Sequence, residues 1–169
     1  DVAPSRGLGD VYKRQILFKT AASLEAAGRT QIVALDKTGT VTSGVPVVTD
    51  IRPVDDMSER ELLHLAASLE AKSEHPLARA VRQKAREMDL SLEEAQEFAA
   101  LPGNGLRAVI GGRQLFGGSR QFISGEAAIS LELSREADAL AEQGKTPLFF
   151  AGDGRCLGMI AVSYTHLTL

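Results

Sequence analysis

The apolar run QIVALD, residues 31–36, sets the strongest limit on what this chain can fold into. It is short, continuous and does not alternate, the pattern of a strand covered on both faces in a parallel sheet. It ends on Asp36, followed by Lys37, Thr38, Gly39 and Thr40. In open α/β sheets the reactive groups gather just beyond the carboxyl ends of the strands, where Asp36 falls. A carboxylate there, beside a flexible glycine and the N–H groups of a tight loop, suits attack on a phosphoryl group. Aspartate is one of the few side chains that form a covalent phospho-intermediate. Loop amides and hydroxyls, with Mg²⁺, would neutralise charge on the group in transfer. Thr38 refines the expectation. A phosphatase of this chemistry keeps a second carboxylate two residues on, as acid and then base, and a threonine can do neither at neutral pH. The acyl phosphate is expected to persist.

The rest of the chain has a different texture. A short helix is predicted to end at Gly28, and a Gly44/Pro46 break precedes a strand over residues 47–54. Ser58 and Glu61 form a capping box opening a helix with Leu62, Leu65, Ala66 and Leu69 on one face. Pro76 opens another, with Leu77, Val81, Ala85 and Met88 in a stripe. Gly111-Gly112 and Asp153-Gly154 each sit between two strand-like runs, the mark of two-residue hairpins. A helix between the hairpins stops at Gly144. These elements predict an α/β (α+β) chain: an antiparallel sheet flanked by helices, inserted after the first strand of a parallel-sheet domain.

Three stretches carry a resemblance. DKTGT, residues 36–40, resembles the phosphorylation signature of P-type ATPases, cation pumps that cycle through an aspartyl phosphate. SEHPLA, residues 73–78, is similar to a motif of the nucleotide-binding domain in the heavy-metal (type IB) branch. GNGLRA, residues 103–108, is similar to that branch's Gly-x-Gly turn. The resemblance covers residues 16–162. It implies ATP and Mg²⁺ as cofactors and Asp36 as phosphoryl acceptor, with Lys37, Thr38, Gly39 and Thr40 around it and Asp36 and Thr38 as a partial Mg²⁺ site. It further implies that Glu70 accepts from the adenine amino group, that His75, followed by Pro76, orients the nucleotide, and that Gly103 and Gly105 make room for it. Gly117 and Gly118 stand where the family has Gly-Asn, so Gly118 replaces a polar side chain and weaker nucleotide affinity is expected.

The domain organisation expected on this basis is a haloacid-dehalogenase-like phosphorylation fragment over 16–44, a nucleotide-binding domain over 45–157 and a return strand over 158–162. The ends, 1–15 and 163–169, match nothing in the family and are expected to be non-native tails. The parent would be a membrane protein with transmembrane and actuator domains that exports a soft metal ion, with this segment soluble on the cytoplasmic side. The run before the signature, ILFKTAASLE, is more similar to copper pumps than to zinc/cadmium ones. Without the remaining parallel strands, Asp36 is expected to be idle in this chain. Two other readings stay open: a haloacid-dehalogenase-like phosphatase with an inserted cap, and a non-catalytic nucleotide-binding module.

Composition excludes other classes. A net charge of −3 gives no global pull toward nucleic acid. A single cysteine, Cys156, allows no internal disulfide and is expected to be a small buried hydrophobe. GKT at residues 144–146 lacks the first glycine of a P-loop, which would fall at Ala139. GDG at residues 152–154 lacks the Asn-Asp of a Mg²⁺ motif and reads as a turn. His64 is expected to be packed or partly exposed on its helix. Lys72, Arg79, Arg82, Lys84 and Arg86 are expected to form a solvated helix face able to attract polyphosphate.

Overall fold

The structure, a computed structural model, describes residues 21–29, 45–101 and 103–164. The chain divides into two units, Asp1–Asp36 and Lys37–Leu169. In the first, the described element is helix α1, Ala21–Gly28, ending on the glycine that predicted its stop. The strand expected over 31–36, the loop carrying Asp36, Lys37, Thr38, Gly39 and Thr40, and the expected tail at 1–15 lie outside the described residues.

The second unit is built on a six-stranded antiparallel sheet. Its strands are β1 (Pro46–Pro53), β2 (Gln96–Leu101), β3 (Gly105–Ile110), β4 (Arg113–Gly118), β5 (Thr146–Gly152) and β6 (Arg155–Tyr164), in the order β1-β6-β5-β4-β3-β2. Both predicted hairpins form. Gly111 and Gly112 have φ of 55° and 79°, and Asp153 and Gly154 have 52° and 74°. Two consecutive positive φ values are what a type I′ turn requires, and its twist matches that of the strands it joins.

Helices cover both faces of this sheet. Helices α2 (Glu59–Leu69) and α3 (Pro76–Glu87) bury Leu62, Leu63, Leu69, Val81 and Ala85 against Ile110, Leu115, Phe150 and Ile160. Helices α4 (Arg120–Glu126) and α5 (Leu131–Glu142) bury Ile123, Leu133 and Leu140 against Phe149, Met159 and Ala161. Adjacent residues of one strand, Phe149 and Phe150, thus enter opposite cores, as the two-residue period of a strand dictates. With both faces covered, β6 is buried continuously from Cys156 to Val162.

The domain boundary expected between residues 157 and 158 falls inside this unbroken strand. Residues 158–162 pair with both β1 and β5 and so are part of the sheet. Ser163 and Tyr164, placed in a terminal tail, pair with Val47 and Pro46, and Tyr164 packs against the cluster of Leu77, Ala80 and Val162. Residues 165–169 lie outside the described residues.

Local signals explain the helix starts. The Ser58 hydroxyl accepts from the Glu61 N–H at 3.2 Å, the cap predicted for α2. The burial of α2 is wider than one stripe, taking in Leu63, Ala67 and Ser68, because α3 and the sheet both pack on it. Lys145 Nζ donates to Asp50 Oδ2 at 2.7 Å, tying the start of β5 to β1. That bond is the main reason the Asp50 carboxyl is held below the usual carboxylate range.

Candidate nucleotide site

A cleft of about 450 Å³ opens at the end of α2. On one wall are Glu70, Ser73, His75 and Leu77; on the other are Gly103, Asn104, Gly105 and Leu106, with Gly117, Gly118, Ser119 and the start of β5 at Thr146, Pro147 and Leu148. Of the seven residues expected to contact a nucleotide, all but Pro76 line it. Pro76 instead occupies the first turn of α3, where its missing N–H is no loss.

The first wall is a short relay between two helices. Helix α2 gives way at Glu70 to a 3₁₀ turn, Glu70–Lys72, and Ser73 and His75 are extended before α3 begins. His75 is the N-cap residue, its Nδ1 accepting from the Leu77 N–H at 3.2 Å. Accepting at Nδ1 puts the ring proton on Nε2, which leaves a donor beyond the cap. Arg82, two helical turns further along α3, reaches back to the same segment. Its Nη1 donates to the carbonyls of Glu70 at 2.5 Å and Ser73 at 2.6 Å. Lys72 Nζ donates to the Ala95 carbonyl at 2.6 Å. These two cations, expected on a solvated face, are structural ties.

Glu70 is the unusual member. It is 5% exposed, and its Oε2 has no hydrogen-bond partner among the described residues. Burial pushes the carboxyl up to about 7, partly offset by the Ser73 hydroxyl and the positive charge of Arg82. A buried polar atom without a partner costs free energy that a bound group can return. The cleft thus offers an unsatisfied carboxyl, an imidazole donor and an apolar floor, a set that fits a planar heterocycle with a polar edge.

The glycines divide by role. Gly103 has φ of 78° and nothing within 4 Å of where a Cβ would lie, so it presents open backbone to the cleft. Gly105 and Gly118 face each other across the β3–β4 pair. A Cβ on Gly105 would lie 2.2 Å from the Gly117 carbonyl oxygen and 2.7 Å from Phe122 Cδ1. One on Gly118 would lie 2.6 Å from the Asn104 carbonyl oxygen. Their space is thus already filled by the chain itself: Gly105 allows the strands to meet, and the backbone here has no place for the polar side chain expected at position 118.

A second hollow of about 480 Å³ lies among Asp55, Asp56, Glu61, Arg113, Asp153, Arg155 and Cys156. There Arg113 Nε donates to Asp153 Oδ2 at 2.7 Å, which pairs these two charges with each other. Cys156 is buried, and burial raises its thiol pKa. His64 is partly exposed, with Nε2 at 3.0 Å from Glu93 Oε1. No group of three or more His, Cys, Asp or Glu that could hold a metal occurs among the described residues. The expected Mg²⁺ residues, Asp36 and Thr38, lie outside them. Within the same limits, no helix is long and apolar enough to cross a membrane.

The family model for haloacid dehalogenase-like hydrolases matches residues 30–166 of this chain. The chain belongs to that family. Its relatives are heavy-metal P-type ATPases. It is 40% identical over 157 residues to copper-transporting ATPase 1 of Rhizobium meliloti (strain 1021), covering 93% of this chain and 19% of that one. It is 40% identical over 162 residues to a manganese-exporting P-type ATPase of Mycobacterium leprae (strain TN), covering 95% and 22%. Among solved structures, a zinc-transporting PIB-type ATPase superposes with a TM-score of 0.70 at 34% identity, covering 96% of this chain and 26% of that one. The chain spans about one-fifth of the length of the curated relatives it matches. The haloacid dehalogenase-like and P-type ATPase relationships expected from the motifs are thus shown.

Proposed function

We propose that this chain is the ATP-binding and phosphorylation-loop segment of a heavy-metal P-type ATPase. The parent would couple ATP hydrolysis to metal export across a membrane, with this segment on the cytoplasmic side. In that cycle the γ-phosphoryl group passes to a carboxylate oxygen of Asp36 with ADP leaving, and water later releases phosphate. Lys37, Thr38, Gly39 and Thr40 would serve the acceptor, and Asp36 and Thr38 would help to hold Mg²⁺. The relatives carry copper, manganese and zinc in their names. Copper is our first candidate, on the run ILFKTAASLE and the copper-transporting relative.

The observation that carries the reading is the cleft itself. Glu70 and His75 come from one helix junction, Gly103 and Gly105 from the opposite turn, and they line one hollow. In it Glu70 meets the amino edge of adenine, His75 orients the nucleotide from Nε2, and Gly103 lets the purine lie against open backbone. Gly105, Gly117 and Gly118 support that wall by close strand packing.

Calorimetric titration of ATP into the chain tests this. Saturable binding is expected, weakened about tenfold, a loss of roughly 1.4 kcal/mol, by His75→Ala. His75→Asn is expected to lose the same binding while keeping the helix cap, since asparagine is a good N-cap residue. Unchanged affinity in His75→Asn would remove the imidazole from the site. No binding to the folded wild type would defeat the reading.

A further inference from the structure

We infer that Glu70 selects the base through its own protonation state: as a neutral acid it matches the edge of a 6-aminopurine, and as a carboxylate it does not. The inference rests on the nucleotide reading of the cleft. A neutral carboxyl group carries one O–H donor and an acceptor, whereas the ionised group only accepts. Adenine presents an amino donor at N6 beside the N1 lone pair, so a neutral Glu70 can accept from one and donate to the other. A carboxylate would accept from N6 but oppose its charge to the N1 lone pair. Guanine presents N1–H and the 2-amino group as adjacent donors, a pattern that a carboxylate satisfies twice.

The surroundings allow both forms near neutrality. Glu70 is buried, with Oε2 unpartnered and at the wall of the cleft. Arg82, Lys72 and the cap residue His75 are near it in sequence or space, and the hydrogen bonds of each go elsewhere. Arg82 on α3 is spent on the carbonyls of Glu70 and Ser73, Lys72 on that of Ala95, and His75 caps α3. From β3, β4 and β5 the cleft receives Gly105, Leu106, Gly117, Gly118, Thr146, Pro147 and Leu148, none of them titratable. Among the described residues no cationic side chain bonds the carboxyl, and burial, only partly offset by the Ser73 hydroxyl and the Arg82 charge, pushes it up to about 7. Above that point each pH unit costs a ligand of the neutral form up to about tenfold in affinity.

The test is competition between ATP and GTP for the full chain at about pH 6 and about pH 8.5, read as the ratio of their affinities. The triphosphate is common to both ligands, so its own pH dependence cancels in the ratio. The ratio is expected to favour ATP at the lower pH and to fall about tenfold or more at the higher one. Glu70→Gln carries an amide donor and acceptor at every pH, so its ratio is expected to be flat. A wild-type ratio constant across the range, or a fall that persists in Glu70→Gln, would overturn the inference while leaving nucleotide binding intact. Failure of both nucleotides to bind at any pH would overturn the nucleotide reading, and this inference with it.

Discussion

Glu70→Gln is expected to stabilise the nucleotide-binding unit at about pH 8 by roughly 3 kcal/mol, raising its melting temperature by roughly 10 °C. The wild-type carboxyl has an ordinary value of 4.5 and about 7 in the folded protein, where burial disfavours its charge. Between those values the folded state holds a proton that the unfolded state has released. Stability therefore falls as pH rises through this window, and above it the full penalty of a buried carboxylate is present. Because Glu70 is 5% exposed, little solvent screening reduces the effect. An amide has no charge to bury, so the variant gains most at alkaline pH and almost nothing at about pH 4.5. Thermal melts of both proteins at the two pH values check this. Equal melting temperatures at about pH 8 would mean that the carboxyl finds a partner or water when ionised. The expected gain marks Glu70 as a residue kept at a cost to the fold, as binding-site residues often are.

The second large effect is expected at Gly105. A methyl group there meets the Gly117 carbonyl oxygen at 2.2 Å, and backbone on an adjacent strand cannot swing away as a side-chain end can. The β3–β4 pair must part at the mouth of the cleft, and Phe122, 2.7 Å from the same position, must shift as well. Gly105→Ala is expected to cost about 2–4 kcal/mol of stability, at the upper end of overpacking changes. ATP affinity should fall at least about tenfold, because the wall bearing Gly103 and Asn104 moves with the strand. Gly103→Ala is the useful contrast. Nothing lies within 4 Å of its Cβ position, so only its φ of 78° opposes the change, at about 1–2 kcal/mol. Urea unfolding midpoints compare the two; a smaller loss at Gly105 than at Gly103 would contradict the packing argument.

Much of this architecture was legible in the residues because the signals were local. A capping serine, a proline at a helix start and two glycine-bearing hairpin turns each act within four residues, and each appears where the sequence put it. Strand β2 was not anticipated. Glu97 has a positive φ of 51°, and the register with β3 shifts between Gln96 and Ala99, so the two-residue alternation that would reveal a strand is broken. Helix α4 is seven residues long, too short to show a period, although Ser119 caps it by accepting from the Phe122 N–H at 3.2 Å. The extent of β6 was hidden because its apolar run reflects cores on both faces, which a buried parallel strand would also show.

At the site, the motifs named residues that meet around one cleft, but not how they are held. Arg82 lay in a run of basic residues and read as a solvated face. Its spacing of seven from His75, two turns along α3, was the available clue that it faces the same junction. Nor could the motif alone show that Gly105 and Gly118 exclude side chains for the sake of each other. That depends on strand register, which is a property of the assembled sheet.

Chemical-shift mapping of the isotope-labelled chain with ATP tests the central claim most directly. Backbone amides of Glu70, Ser73, His75, Gly103, Gly105 and Gly118 are expected to shift together with one saturation curve, while Asp55, Arg113 and Asp153 around the second hollow stay in place. Shifts centred on the second hollow, or none at all in the folded chain, would contradict the account.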